Sequence, residues 1–242
     1  MERLLIGKTL VFILFAFQSL QAQNLYFGFQ LGSYNMKDMK SIQADVLAQY
    51  ISVTNVSVAK ELEFPASLQA EGGIDFKLDE KNTLGGFFNY AITKGRIGYS
   101  DYSGSLSFGQ DLSRYLFGIK YQLFLKKYLA LQSKLGFNHS NLNITSGTFV
   151  TGTTGTTTAE NFYSNGVSVI PGVSLYHHFS RVSFQLELGY EMNFQSKTYY
   201  GKDSRAYLLV NTQSNEKAYI DWSGFRSGLL IGILLNKQEH RE

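Results

Sequence analysis

The segment Ser67–Thr93 reads SLQAEGGIDFKLDEKNTLGGFFNYAIT, and it decides how the rest of the chain is interpreted. One set of alternating positions along Ser67–Leu78, and again along Thr83–Thr93, is apolar or small. A period of two is typical of a β-strand whose faces meet different media. The polar stretch Asp79–Asn82 predicts a short antiparallel connection between the two arms. Each arm has the roughly 9–11 residues that a tilted strand needs to cross a bilayer, so the segment predicts a membrane-spanning hairpin.

The N-terminal residues have the composition of a secretory signal. Arg3 and Lys8 form a basic start, Leu10–Phe17 an apolar run and Leu20–Ala22 a cleavage site. The apolar run is too short for a membrane-spanning helix, although a retained anchor is the alternative interpretation. We therefore expect residues 1–22 to be a removed signal peptide and residues 23–242 to form one mature domain.

The composition excludes several classes of protein. The 242 residues include no cysteine, which excludes a disulfide framework, a zinc–thiolate site and a cysteine nucleophile. The net charge of +3 gives no basis for a nucleic-acid partner. No phosphate-cradling glycine loop, dinucleotide fingerprint or cluster of metal ligands occurs, so we predict neither a cofactor nor a metal.

The same alternation recurs along the chain and predicts eight strands. Their approximate bounds are 25–34, 67–78, 83–93, 105–124, 128–142, 166–179, 182–195 and 221–235. Long connections (Asn35–Pro65, Lys94–Gly104, Asn143–Asn165 and Ser196–Ile220) alternate with short ones. This asymmetry is typical of membrane barrels with long extracellular loops, short periplasmic turns and both termini in the periplasm. The sequence therefore predicts an all-β fold, an eight-stranded antiparallel up-and-down transmembrane β-barrel.

Three local patterns refine this prediction. Apolar residues at intervals of three and four from Met39 to Val53 predict a short helix in the first long loop, lying against the barrel rim or docking a partner. The Thr/Gly-rich run Thr145–Thr158 is expected to be mobile, because it has little apolar surface to bury. Pro171 predicts a bulge or an edge position in the sixth strand.

The alternation also assigns residues to the two faces of the barrel. In a membrane barrel the apolar face contacts lipid and the polar face points inward. The predicted inward charges are Glu71, Asp75, Lys77, Arg114, Lys120, Lys134, Glu187, Glu191 and Arg226. Both signs occur, so we expect a buried plug of paired charges, with a narrow ion path as the alternative. The tyrosines predicted to form two interfacial girdles are Tyr26, Tyr90, Tyr115, Tyr128, Tyr176 and Tyr190.

Over Leu25–Leu235 the chain resembles the small outer-membrane β-barrel proteins of Gram-negative bacteria, of the OmpX and OmpA-transmembrane-domain type. Tyr99–Gly104 (YSDYSG) and Asp221–Gly224 (DWSG) are similar to segments of Bacteroidota barrels. The chain departs from the pattern by ending on Asn236–Glu242 rather than on an aromatic residue. The resemblance implies an outer-membrane location, contact with outer-membrane lipid and lipopolysaccharide, and insertion by the barrel assembly machinery. This class includes adhesins, stabilising proteins and lipid-modifying enzymes.

Candidate chemistry is sparse. His139 and Ser140 are adjacent, so in a strand they point to opposite faces, and no acid is placed to orient the histidine. His177 and His178 diverge in the same way and are not predicted to chelate a metal.

The last long loop mixes aromatic and basic residues that could contact lipopolysaccharide phosphates or a partner, namely Tyr199, Tyr200, Lys202, Arg205 and Tyr207. We predict no catalytic residue and no enzyme. The expected role is structural or surface-interacting, through the loops Asn35–Pro65, Asn143–Asn165 and Ser196–Ile220. A lipid A-modifying enzyme that uses His139 is the first alternative, and a small pore is the second.

Overall fold

The computed structural model describes residues 24–54, 59–102, 104–150, 155–211 and 215–235. In chain order the elements are β1 (Asn24–Tyr34), α1 (Lys37–Thr54), β2 (Ala59–Leu62), β3 (Ser67–Lys77), β4 (Asn82–Asp101), β5 (Gly104–Lys126), β6 (Leu129–Val150), β7 (Thr156–Phe179), β8 (Val182–Gln195), β9 (Tyr199–Tyr200), β10 (Asp203–Tyr207) and β11 (Gly224–Leu234). The predicted signal peptide, residues 1–22, and the C-terminal tail Asn236–Glu242 lie outside the described residues.

Eight strands close into an antiparallel ring in the order β1, β3, β4, β5, β6, β7, β8 and β11. The first and last ring strands pair directly, with Asn24 opposite Leu234 and Tyr34 opposite Gly224. Closure leaves no open edge in the ring, which is how barrels avoid edge-to-edge association. The predicted eight-stranded antiparallel barrel is confirmed. The short strands β2, β9 and β10 extend the sheet beyond the ring: β2 pairs with β4, β9 with β7, and β10 with β9.

The barrel is apolar outside and polar inside. On β1, the side chains of Leu25, Phe27, Phe29 and Leu31 are 50 to 59% exposed, whereas Gln30 between them is buried. The same alternation runs along β8 and β11. An apolar band around a closed ring is stable only when hydrocarbon surrounds it, so the ring spans a membrane. None of the described helical residues form a segment long and apolar enough to cross a bilayer.

Four neighbouring strands continue far beyond the others. The strands β4 to β7 have 20, 23, 22 and 24 residues, against 11 in β1, β3 and β11. We call their continuation (Thr93–Asp101, Gly104–Leu112, Ser140–Val150 and Thr156–Phe162) the protruding sheet. The prediction that Lys94–Gly104 and Asn143–Asn165 are loops is therefore wrong over most of their length. Lys94 pairs with Asp111, and residues 143–148 pair with 156–161.

The misassigned segments contain residues that suit a strand despite their loop-like composition. Threonine is β-branched and favours extended backbone, so the Thr/Gly-rich run that was expected to be mobile is largely strand. Residues 151–154 of that run lie outside the described part of the chain. Ile97 and Phe108 are buried on the inner phase of the protruding sheet, which gives it an apolar face.

An apolar core fills the end of the barrel from which the protruding sheet extends, where the sequence predicts a polar lumen throughout. It consists of Tyr34, Met36, Met39, Ile42, Phe64, Ala91, Ile97, Phe108, Leu112, Leu142, Phe162, Val210, Ala218, Ile220 and Trp222. The predicted helix is confirmed as α1, which inserts Met39 and Ile42 into this core. The predicted loop Ser196–Ile220 is ordered through the hairpin β9–β10 and through its buried Val210, Ala218 and Ile220.

Several residue-level predictions are wrong for local reasons. Tyr26 and Tyr176 were assigned to the girdles, but they occupy the inward phase of their strands and are 2% and 7% exposed. Lys77 is exposed, because it ends β3 beyond the filled interior. Pro171 produces no bulge, since the register between β7 and β8 is the same on both sides of it. Pairing lapses only at Ile170 and Pro171, which is consistent with the missing N–H of proline.

Candidate functional site

The barrel interior holds eight charged side chains, each at most 5% exposed. We call them the ionic plug: Glu71, Asp75, Glu187 and Glu191 with Arg114, Lys120, Lys134 and Arg226. Apart from Lys77, these are the charges predicted to point inward. The four acidic and four basic groups balance, so the interior carries no net formal charge. This balance matters because an unpaired charge in such an environment is strongly destabilising.

Six members of the ionic plug form one continuous chain of alternating sign. Its order is Arg114, Glu191, Arg226, Glu71, Lys134 and Glu187. Arg226 bridges two acids, with Nη2 2.8 Å from Glu71 Oε2 and Nη1 3.5 Å from Glu191 Oε2. Lys134 likewise bridges Glu71 and Glu187, and its Nζ lies 2.8 Å from Glu187 Oε2. The chain ties strands from opposite sides of the ring together.

Lys120 and Asp75 form a separate pair. Lys120 Nζ is 2.8 Å from Asp75 Oδ1, and it lies 3.7 Å from the centre of the Tyr26 ring. Asp75 Oδ2 also accepts a long hydrogen bond of 3.5 Å from the Asn24 side chain. This explains why Tyr26 points inward rather than joining a girdle: its ring covers the lysine ammonium.

Neutral side chains complete the hydrogen bonding of the acids. Gln30 donates to Glu187 at 2.9 Å, Gln185 donates to Glu187 at 2.6 Å and Ser168 donates to Glu191 at 2.7 Å. The gap that remains beside Lys134, Glu187 and Arg226 is too narrow for a water molecule. The interior therefore resembles a packed core more than a channel, in keeping with the small diameter of an eight-stranded ring.

Trp222 closes the end of the plug that faces the apolar core. Its ring lies 4.6 Å from the Arg114 guanidinium carbon and 5.2 Å from the Tyr34 ring. Its Nε1–H donates to Ser140 Oγ at 3.0 Å, and the Gln195 amide donates to the same oxygen at 3.0 Å. Sequence reasoning missed this role, although Trp222 is the chain's one tryptophan and lies in the DWSG segment.

His139 and Ser140 point to opposite sides of β6, as predicted. Ser140 is buried inside the barrel, whereas His139 faces outward and is partly exposed. His139 Nδ1 lies 2.7 Å from Asn165 Oδ1, and its ring stacks on Tyr163 with centroids 5.6 Å apart. The Asn165 amide nitrogen donates to Tyr199 at 3.4 Å, so its oxygen accepts the Nδ1–H of His139. An amide, rather than a carboxylate, thus orients this histidine.

His177 and His178 do not form a metal site either. His178 stacks on Tyr176 with ring centroids 5.8 Å apart, and His177 lies on the opposite face of β7. Throughout the part of the chain that the structure describes, no group of three or more His, Cys, Asp or Glu side chains is arranged to hold a metal ion.

The protruding sheet has two edges: the β4 edge pairs with β2 at Arg96, Ile97 and Gly98, and the β7 edge is open over a longer stretch. Beyond Phe162 and Tyr163, which pair with β9, the residues 156–161 pair only with β6 among the described strands. The Asn161 carbonyl accepts from the Gly201 N–H at 2.8 Å, so Asn161 turns its backbone polar groups away from β6. The backbone N–H and C=O groups of successive residues point to alternate sides of a strand. Those of Thr157 and Ala159 therefore point to the open side, as those of Asn161 do.

A closed eight-stranded ring with an exposed apolar band and a neutralised polar interior defines a small outer-membrane β-barrel. No family model matches this chain, and no curated protein matches it in sequence. Among solved structures it is similar to the crystal structure of Ail, the attachment invasion locus protein of Yersinia pestis. Identity is 8%, the TM-score is 0.40, and the alignment covers 89% of this chain and 99% of Ail.

A second structure of Ail, in complex with the heparin analogue sucrose octasulfate, aligns over the same shares of both chains at 9% identity and a TM-score of 0.39. Identity this low carries no information about what the present chain binds.

Proposed function

We propose that this protein is a non-enzymatic surface-interaction protein of the outer membrane, which presents the protruding sheet to an extracellular partner. The observation that carries the proposal is the open edge of β7. The ring closes every one of its own edges, yet the protruding sheet keeps residues 156–160 unpaired on one side among the described strands. Proteins normally cover or charge such edges, because they template pairing with another chain.

The chemistry of the edge indicates the kind of partner. Thr156, Thr157, Thr158 and Ala159 are exposed and uncharged, and Glu160 is the one charge on the edge. Free backbone groups at Thr157 and Ala159 would pair with an extended segment that adds as a further strand. We therefore propose a partner that contributes an extended, weakly charged peptide segment, recognised through its backbone more than through its side chains.

The protruding sheet is held rigid by what covers its inner face. Met39 and Ile42 of α1 pack in the same core as Ile97, Phe108 and Leu142 of the sheet, and the Tyr50 hydroxyl lies 3.3 Å from that of Ser146. A rigid edge loses little conformational entropy on binding, which favours affinity.

The test selects extended peptides from a displayed library against the barrel in lipid nanodiscs and measures their dissociation constants. Ala159→Pro removes the outward N–H while leaving the pairing of β6 with β7 intact, and we expect it to abolish binding. Ala159→Val keeps the N–H and serves as the matched control. If selected peptides bind the proline variant as tightly as the wild type, the edge is not the binding site.

The proposal also fixes the orientation of the barrel. Under this proposal the protruding sheet faces the outside of the cell. The start of β1 and the end of β11 lie at the periplasmic side, together with the short turns. Because the chain has no cysteine, single cysteines can report on this. Thr157→Cys on intact cells should react with a membrane-impermeant maleimide, whereas Lys127→Cys should react only after the outer membrane is permeabilised. The reverse pattern would overturn the orientation.

The two alternative functions find less support. A lipid A-modifying enzyme would need a nucleophile beside His139, but Ser140 lies on the other face and is bound to Trp222 and Gln195. A pore would need a continuous lumen, but the interior is filled by the ionic plug and capped by the apolar core. Insertion by the barrel assembly machinery remains part of the proposal.

A further inference from the structure

The outward surface of β4, β5 and β6 changes character in three successive rows. Each row consists of three residues that lie opposite one another in the sheet. From the outer rim inward, the rows are Tyr90, Tyr115 and His139; Phe88, Phe117 and Phe137; and Gly86, Ile119 and Leu135. We call the first of these the rim row. Aromatic side chains thus occupy the two outer rows, and a glycine begins the third.

The rings of the two outer rows contact one another. Tyr90 and Tyr115 have ring centroids 5.0 Å apart, and those of Phe117 and Phe137 are 6.2 Å apart. His139 is fixed at the end of the rim row by its stack on Tyr163 and its hydrogen bond to Asn165. The rim row is consequently a built surface rather than a set of independent side chains.

Directly below the aromatic rows, the barrel wall is indented. Gly72 and Gly86 face outward on neighbouring strands, and a Cβ atom on Gly86 would meet nothing closer than the Gly118 oxygen at 3.9 Å. The resulting apolar groove has a volume of about 800 Å³, and its walls include Ile74, Phe117 and Leu135. This volume lies within the range of small-molecule sites, which is about 300–1,000 Å³.

Polar groups take over on the same outward phase beyond the rim row. Lys94 and Arg96 follow Ile92 on β4 and are exposed, and Lys94 is paired with Asp111 only loosely, at 3.5 Å. On β5 the outward residues at this level are Asp111 and Ser113, and on β6 and β7 they include neutral amides. Asn143 donates to Asn161 at 2.8 Å, and Asn141 lies beside them. The surface therefore runs from an apolar groove, through an aromatic row, to a zone of amides and bases.

We propose that this surface binds one glycolipid with a phosphorylated sugar head group. An acyl chain fills the groove, the sugar lies on Tyr115 and His139, and Lys94 and Arg96 pair with the phosphate. His139 donates Nδ1–H to Asn165, so its Nε2 is available to accept a hydrogen bond from a sugar hydroxyl. The amide-rich zone favours a head group with many hydroxyls over that of an ordinary phospholipid, which has few. The inference is independent of the proposed peptide-binding edge.

The test uses lipid A, a phosphorylated glucosamine disaccharide, as the probe. The barrel is reconstituted in phosphatidylethanolamine vesicles containing a minor fraction of either lipid A or phosphatidylglycerol. Native mass spectrometry after detergent exchange then counts the lipids that stay bound. We expect one lipid A to be retained and phosphatidylglycerol to be lost.

Two variants probe the two parts of the site, each with a control on β8, on the opposite side of the ring. Gly86→Leu fills the groove, and we expect retention to fall about tenfold, which corresponds to about 1.4 kcal/mol. Leu186→Phe adds similar bulk to the lipid face elsewhere and should leave retention unchanged. His139→Ala should reduce retention severalfold, whereas Tyr190→Ala removes a rim aromatic of β8 and should not.

A gel shift on boiling verifies that each variant is folded, and His139→Ala tests the site even if Gly86→Leu fails to fold. Equal retention of lipid A and phosphatidylglycerol would overturn the assignment of the head group. Retention unaffected by both site variants would overturn the site as a whole. A stable dimer that Gly86→Leu converts to a monomer would show that a second copy of the chain occupies the groove, which also overturns the proposal.

Discussion

Replacing Lys120 by methionine tests whether the ionic plug stabilises the barrel through buried pairs. Lys120 and Asp75 are both at most 4% exposed, and their charged atoms are 2.8 Å apart. At an effective dielectric constant of about 20, Coulomb's law gives an attraction of about 6 kcal/mol at this distance. Lys120→Met leaves Asp75 with only the 3.5 Å contact from Asn24. We expect the free energy of unfolding to fall by about 3–5 kcal/mol, the usual cost of splitting a buried pair.

The double variant Lys120→Met/Asp75→Leu separates the value of the pair from the cost of a stranded charge. Replacing both partners by apolar residues is often neutral or stabilising. We therefore expect the double variant to recover most of the stability lost in Lys120→Met. The coupling energy from the double-mutant cycle should be about 3 kcal/mol or more.

Equilibrium unfolding in denaturant, followed through Trp222 fluorescence, provides the assay. Trp222 is the chain's one tryptophan and is fully buried, so its emission reports on opening of the barrel. Lys94→Met is the matched control, because Lys94 and Asp111 are 52% and 42% exposed and such pairs contribute about 0–1 kcal/mol. If Lys120→Met costs no more than Lys94→Met, or if the double variant is as unstable as the two single variants summed, the reasoning is refuted.

Three further predictions address other parts of the molecule. Met39→Ala should leave a cavity beneath α1 and lower the free energy of unfolding of the apolar core by about 2–5 kcal/mol. The gel shift of the barrel on boiling should persist. Hydrogen bonds from the Asn82 side chain and the backbone N–H groups of Lys81 and Asn82 hold the pKa of Asp79 below its ordinary value of 3.8. The ionised carboxylate should therefore stabilise the turn above pH 3.8, and this stabilisation should be lost as the pH falls through the lowered pKa. Hydrogen exchange at the Lys81 amide should become faster over the same pH range. Asp79→Asn should lack this pH dependence. Planar bilayers containing the protein should show no steady conductance, and regular single-channel steps would contradict the closed interior.

The membrane-spanning part of the fold could be predicted because the bilayer imposes a simple code. Lipid on one side and a polar interior on the other force a strict period of two, as along Val182–Gln195, and this period can be counted in the sequence. The inward charges followed from the same count. Their partners did not, since Glu71 on β3 meets Lys134 on β6 and Arg226 on β11 only in the closed ring.

Prediction failed where the surroundings change. Beyond the bilayer the outer face of β4 to β7 meets water, so the apolar side disappears and Gly, Ser and Thr give the strands the composition of loops. The inner phase changes in the opposite sense, from the ionic plug to the apolar core, and an expectation of one polar lumen misses that switch. Tyr26 was misplaced because its sequence position near a strand end says nothing about Lys120, which lies 94 residues away in the chain and directly beneath its ring.

The candidate surface was only partly visible in the sequence. The divergence of His139 and Ser140 followed from strand geometry alone, because adjacent residues in a strand face opposite sides. The contacts of His139 with Tyr163 and Asn165 come from a neighbouring strand, whose register the pattern did not determine. The groove at Gly86 depends on outward-facing glycines at diagonal positions of two neighbouring strands, which only the pairing of β3 with β4 reveals.

The distribution of the plug charges has a consequence for how the barrel enters the membrane. The plug acids come from β3 and β8 alone, and the plug bases come from β5, β6 and β11. Apart from the contact of Arg226 with Glu191, every pair joins strands that are not neighbours in the ring. Each of the hairpins β3–β4, β5–β6 and β7–β8, if inserted ahead of the others, would thus carry charges of one sign into lipid, each at a cost of about 2.5–3.5 kcal/mol. The plug becomes neutral only when β11 contributes Arg226, so we expect membrane insertion and ring closure to be cooperative, with β11 completing both.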